Sequence, residues 1–246
     1  MQADSLRAAV YALGFALSLA GFGAHAQQAR GVNPAEIDSR FDVILKRVEL
    51  DSTGSTTSLT LKYDYRLNNQ WGLNFELPVY TRLSQPGFSR TGTGDFFARA
   101  RWIVPSGQWT YGASAETVLP VASKDELGTG RYQANVGALV VRAFSPSVLG
   151  AAVLKQVTSV GGDSSRASFS NTEFRIVPVL ILDQGWALTG EIRQTWEHKS
   201  NLSWQRIEAT LNKQFDKNWA GSVSLGTDTG DRKDRGAVSL ATKYFF

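Results

Sequence analysis

The chain has 246 residues, 42% of them hydrophobic and 11% aromatic, too apolar for a disordered protein and long enough for one large domain or two. Its 26 basic and 22 acidic residues leave a formal charge of +4, with no run of Lys or Arg long enough to grip nucleic acid. Cysteine is absent, which excludes a disulfide framework, a thiolate metal site and a thiol nucleophile.

In chain order, Arg7 precedes a small and apolar run from Ala8 to Gly23, and Ala24-His25-Ala26 supplies the small-x-small pattern of a signal peptidase site. Residues 1–26 are therefore expected to be a signal peptide. The run is shorter than the roughly 20 apolar residues that a spanning helix needs.

From there the chain alternates. Leu59, Leu61, Tyr63, Tyr65 and Leu67 share one parity and Thr60, Lys62, Asp64 and Arg66 the other, the period of a strand with one apolar and one polar face. The next run repeats the pattern, with Trp71, Leu73, Phe75, Leu77 and Val79 against Asn74, Glu76, Tyr80 and Arg82. Nine further runs of about ten residues follow, and FDVILKRVEL (Phe41 to Leu50) is a less regular first strand, about twelve in all. Pro78 and Pro178 fall inside runs, and because proline cannot donate to a ladder, bulges or kinks are expected there.

Two kinds of connection alternate. Tight turns (NNQ, PSGQ, FSPS, DQG, FDKN) are interleaved with longer polar loops such as SQPGFSRTGTG, VASKDELGTG and GGDSSRASFS. Short turns on one rim and long loops on the other predict an all-β, antiparallel up-and-down barrel in the outer membrane of a Gram-negative bacterium, with both termini in the periplasm. The predicted organisation is residues 1–26 as signal peptide, 27–40 as a periplasmic N-terminal segment and 41–246 as the barrel. Outer-membrane lipid and lipopolysaccharide are the expected surroundings.

Four tryptophans, Trp71, Trp109, Trp186 and Trp219, each follow a tight turn, where an aromatic girdle would sit at headgroup level. At the one turn without a tryptophan, Val148 follows FSPS and Phe144 precedes it. The terminal Phe246 has Tyr244, Leu240 and Val238 on its parity. This end resembles the C-terminal signal that the barrel assembly machinery reads.

The polar parity is expected to face a lumen. It carries nine bases (Lys62, Arg66, Arg82, Arg99, Arg101, Arg175, Arg193, Arg206, Lys243) and seven acids (Asp64, Glu76, Glu116, Glu173, Glu191, Glu197, Glu208). Near-balance predicts ion pairing, either as a rigid plug or as a polar constriction that selects small solutes. The constriction is expected among Arg99, Arg101, Glu116, Glu173, Arg175, Glu191 and Arg193, with Glu76, Arg206 and Glu208 along the same path. A large apolar molecule would leave sideways, near Pro78 or Pro178. The glycine elements Gly92 to Gly94 and Gly128 to Gly130 open strands, and as phosphate loops they lack the following Lys and helix. No metal or cofactor is expected.

The stretch from Glu76 to Val104, with its LP strand end, Gly-rich loop and GTGD, and the second LP…LGTG unit from Val118 to Val157 resemble the outer-membrane family named for the MetA pathway of phenol degradation. The resemblance covers about the middle third of the chain and implies transport of small solutes, aromatic and hydrophobic molecules among them. It supplies no site residues. A second, local resemblance is to outer-membrane phospholipase A, in EHKSNLSWQR (Glu197 to Arg206). It implies an acyl-ester hydrolase with Ser200 as nucleophile, His198 as base and Gln205 as orienter. The chain departs from that family in having Leu202 where Gly is expected, Gln205 in place of Asn, and no loop of calcium ligands.

Overall fold

A strand with one apolar face can satisfy its backbone only in a ladder, and each predicted run becomes one. The computed structural model describes residues 29–50, 53–231 and 236–246; the predicted signal peptide, residues 1–26, lies outside them. The described residues form thirteen strands: β1 (Arg40–Glu49), β2 (Ser55–Arg66), β3 (Trp71–Gln85), β4 (Phe88–Gly92), β5 (Phe96–Ser106), β6 (Trp109–Leu119), β7 (Arg131–Ser145), β8 (Val148–Gly162), β9 (Ser170–Ile181), β10 (Trp186–Glu197), β11 (Leu202–Gln214), β12 (Trp219–Gly230) and β13 (Gly236–Phe245).

Every pairing among the described strands is antiparallel, each strand bonds to its neighbours in sequence except that β3 bonds past β4 to β5, and β1 bonds to both β2 and β13, so the wall closes on itself. Twelve strands make the wall. The thirteenth, β4, was not foreseen: the loop expected after Leu83 instead folds back as a hairpin, with β4 pairing only with Thr81 to Gln85 at the top of β3. The wall beside it is correspondingly short of bonds, since β3 pairs with β5 only from Trp71 to Glu76.

Both prolines act as expected. Opposite Pro78 the β2–β3 register shifts, because Leu59 pairs with Tyr80 and Thr60 with Pro78, leaving Val79 as a bulge. The bulge corrects one expectation. A one-residue insertion flips the parity beyond it, so Thr81 turns inward and is buried, while Tyr80 and Arg82 face out instead of into the lumen. At Pro178 the β9–β10 pairing skips from Thr189↔Val179 to Ile192↔Ile176.

Outside, the wall is an apolar belt in which Val43, Leu154, Ile176, Ile192, Ile207 and Leu225 are all exposed. Trp71, Trp109, Trp186 and Trp219 begin β3, β6, β10 and β12 at the short-turn end. Trp71 packs near Trp102, with ring centroids 6.5 Å apart, Trp219 lies 4.9 Å from Tyr244, and the Lys213 ammonium sits 4.9 Å over Trp186. At the turn without a tryptophan, Phe144 is 61% exposed and shares the Arg142 guanidinium with Trp109. Phe246 stacks on Tyr63 and Tyr244, with Val238 and Leu240 pairing outward-facing residues further along β13.

At the opposite end the long loops are tied together. The Asp95 carboxylate accepts from the backbone of Ala122 (3.2 Å) and Thr129 (2.6 Å), Arg90 pairs with Glu126 at 3.2 Å, and Arg131 donates to the Asp163 carbonyl at 2.9 Å. The two GTG elements thus flank a carboxylate clamp.

Candidate functional site

Alternation places one side chain from every second residue inside the barrel, and closure brings strands from across the sheet to face one another. The polar interior sorts into separate ion-pair groups. On one wall Arg40 bridges Asp42 (3.2 Å) and Asp64 (2.9 Å), while Lys62 reaches Asp64 (3.7 Å) and Glu76 (3.5 Å). On the opposite wall Arg175 pairs with Glu173 and reaches Glu191 at 4.0 Å, and Arg193 pairs with Glu191. Beside that wall Arg206 holds Glu208 (2.9 Å) and Asp228 (3.2 Å). Lys155 pairs with Glu116.

The expected path residues Glu76, Glu116, Glu173, Arg175, Glu191, Arg193, Arg206 and Glu208 are thus inward and paired. Arg99 and Arg101 are inward as well, but neither makes an ion pair with a described residue, and Arg99 Nε is buried without a hydrogen bond. Sequence reading passed over Arg40, Asp42, Lys155 and Asp228. The polar members of β1 share their parity with Ile44, and those of β8 with Val153 and Val157, so the alternation there carries no clean signal.

The short-turn mouth is filled by the chain itself. Residues 29–39 cross it from wall to wall. On one side Ala29 and Val32 are buried against Leu149, Val179 and Ala187 of β8 to β10. On the other side Arg101 donates to the carbonyls of Pro34 (3.4 Å) and Glu36 (2.6 Å), and Ile37 packs over Gly72. Arg30 closes the crossing: its guanidinium donates to Asp38 and the Lys217 carbonyl, both at 3.1 Å, and lies 4.5 Å over the buried ring of Phe245. Burial pushes the Glu36 carboxyl above its ordinary range, against the amide of Asn33 that bonds it; Asp38 adds to the rise and Arg30 opposes it.

A cavity of about 120 Å³ remains between this crossing segment and the wall, lined by Asn74, Arg99, Arg101, Arg40 and Asp64 among others.

The hydrolase residues do not form a nucleophile–base pair. The Ser200 hydroxyl donates to Glu197, an inward residue, and the Glu197 carboxylate also takes the Ser170 and Lys199 amides, at 3.1 and 3.0 Å. His198 Nε2 instead shares a 2.8 Å bond with Thr172 Oγ1. Gln205 pairs with Gln194 on the outer face. Glu197 therefore caps the turn between β10 and β11, and the hydroxyl is consumed in that cap. Among the described residues no cluster of three or more His, Asp or Glu is arranged to hold a metal.

No family model and no curated protein matches the chain. Solved structures match the fold. The COG4313 outer membrane channel from Pseudomonas putida F1 superposes with a TM-score of 0.69 at 18% identity, covering 87% of this chain and 98% of that one. The NanC porin gives 0.61 at 10% identity over 84% and 98%, and the KdgM porin 0.58 at 10% over 84% and 99%. The fold is that of outer-membrane β-barrels.

Proposed function

We infer that the protein is a small-solute channel or transporter of the outer membrane, oriented with its short turns and crossing segment in the periplasm and its tied loops outside. The exposed apolar belt and the tryptophan girdle support the membrane setting, since such a belt is stable only against lipid. One observation carries the channel reading: the lumen is lined by charges of both signs, and two arginines at the mouth have no carboxylate partner. A barrel needing only a rigid filling would pair these as well, because a buried guanidinium without counter-charge is costly. The likeness to outer-membrane channels supports the same assignment, and the resemblance to the MetA-pathway family adds aromatic acids to the candidate solutes.

The test is reconstitution. In planar bilayers the expected behaviour is a small conductance with weak ion selectivity, because the inward charges nearly cancel. Liposomes containing the protein should take up small aromatic acids. A silent bilayer together with impermeant liposomes would leave a structural barrel with a plugged lumen.

A further inference from the structure

The cavity behind the crossing segment has a charge inventory that is lopsided in detail. Three acids and three bases line it: Glu36, Asp38 and Asp64 against Arg40, Arg99 and Arg101. Every acid is engaged. Asp38 accepts from Arg30 (3.1 Å), Asp64 from Arg40 (2.9 Å) and the Asn74 amide (2.8 Å), and Glu36 from the Asn33 amide (3.0 Å). Arg40 is spent on Asp42 and Asp64. Arg101 bonds only backbone carbonyls, and Arg99 has no hydrogen-bond or ion-pair partner among the described residues. Apart from Glu36, whose carboxyl a neutral amide holds, the charges in the cavity without a salt-bridge partner are therefore two guanidinium groups, two residues apart on one strand face and so about 7 Å apart along it.

The geometry points to a binding site for a small carboxylate, held between Arg99 and Arg101 and facing the crossing segment. Guanidinium groups favour carboxylates because their forked N–H donors match the two oxygens, and a partly desolvated pair of this kind is stronger than a neutral hydrogen bond. The carboxylate would take the free donors of Arg99 and compete with the Pro34 and Glu36 carbonyls for Arg101. An unpartnered acceptor, Asn74 Oδ1, lies on the same lining and suits a hydroxyl on the solute. The volume admits an acid of a few carbons. A free inorganic anion would find the charge but not the apolar contact of Ile37.

This site gives the channel a solute class, and its biological sense rests on the channel reading, but binding is measurable without conductance. The experiment is titration calorimetry of the full mature chain in detergent, with butyrate and its neutral counterpart butanamide as probes. Butyrate should bind saturably and butanamide should not. Arg99→Gln should weaken butyrate at least tenfold, Arg99→Lys less, and His198→Ala not at all. Equal binding of the amide, butyrate affinity unchanged in Arg99→Gln, or a wild type that binds neither probe overturns the site. Should Arg99→Gln fail to fold, the acid–amide comparison on the wild type still decides. A conducting barrel that binds no butyrate sinks the site alone; a silent barrel that binds it sinks the channel alone.

Discussion

Arg101 does two things at once: it stands in the expected constriction and it holds the chain's own N-terminal segment by two carbonyls. Hydrogen bonds from a charged donor contribute about 1.5–3 kcal/mol each, toward the lower end where solvent has access. Replacing Arg99 and Arg101 together by Ala should therefore raise conductance through a loosened mouth and shift preference toward cations, read as a change in reversal potential across a salt gradient. A second residue-scale expectation concerns pH. Because burial raises the Glu36 carboxyl in the docked segment, docking binds a proton that the undocked segment does not. The sign follows: docking is strongest below the ordinary glutamate range and weakens as pH rises through the raised value, so conductance should fall on acidification. In Glu36→Gln the pH response should flatten and conductance at neutral pH should fall; an unaltered pH profile in that variant would show that Glu36 is not the titrating group.

Two prolines shape the elements, by different routes. Pro78 is accommodated by a bulge, whereas Pro178 is accommodated by its neighbour: a Cβ on Gly190 would lie 3.1 Å from Pro178 Cγ, so any side chain there would press on the proline ring. Gly190→Leu should destabilise the barrel by about 1–3 kcal/mol, the usual cost of overpacking, visible as an earlier urea midpoint in the heat-modifiable gel shift. Pro78→Ala should be milder, because the bulge and the Gly94 amide bond to the Pro78 carbonyl, 2.9 Å, persist. The wall strands and both kinks were legible in the sequence because lipid on one side and a polar lumen on the other impose period-two alternation. Lys62 against Leu61 needs no structure to sort. The fate of Arg82 was illegible for the same reason: parity counting assumes an unbroken register, and the bulge at Val79 resets it. Likewise β4 was hidden, since a hairpin standing clear of the lipid has no need of an apolar face. For the site, the charges were legible but their pairings were not. Arg175 has Glu173 two residues away on its own strand, whereas Arg99 faces Glu116 across the ladder and loses it to Lys155 of β8, which only the folded sheet shows.

For the molecule as a whole, the consequential feature is that a barrel with polar walls is narrowed by eleven residues of its own chain, residues 29–39, anchored on opposite walls by different physics. The Leu149 side is an apolar contact, while the Arg101 side is electrostatic and open to competition. The segment should therefore release from the Arg101 side first. Two variants separate this from general damage to the barrel. Deleting residues 29–37 removes the crossing altogether. Gly72→Leu leaves it in the chain but fills its seat, since a Cβ there would lie 2.6 Å from Ile37 Cγ2, a side chain of the crossing segment itself. Both proteins should fractionate with the outer membrane and keep the heat-modifiable gel shift, because no wall pairing is touched. In planar bilayers both should conduct severalfold better than the wild type, with Gly72→Leu the smaller gain because its Leu149 side stays docked. Wild-type conductance in both variants would mean that the narrowest point lies deeper, among Glu173, Arg175, Glu191 and Arg193, and that the crossing segment leaves ions a way past.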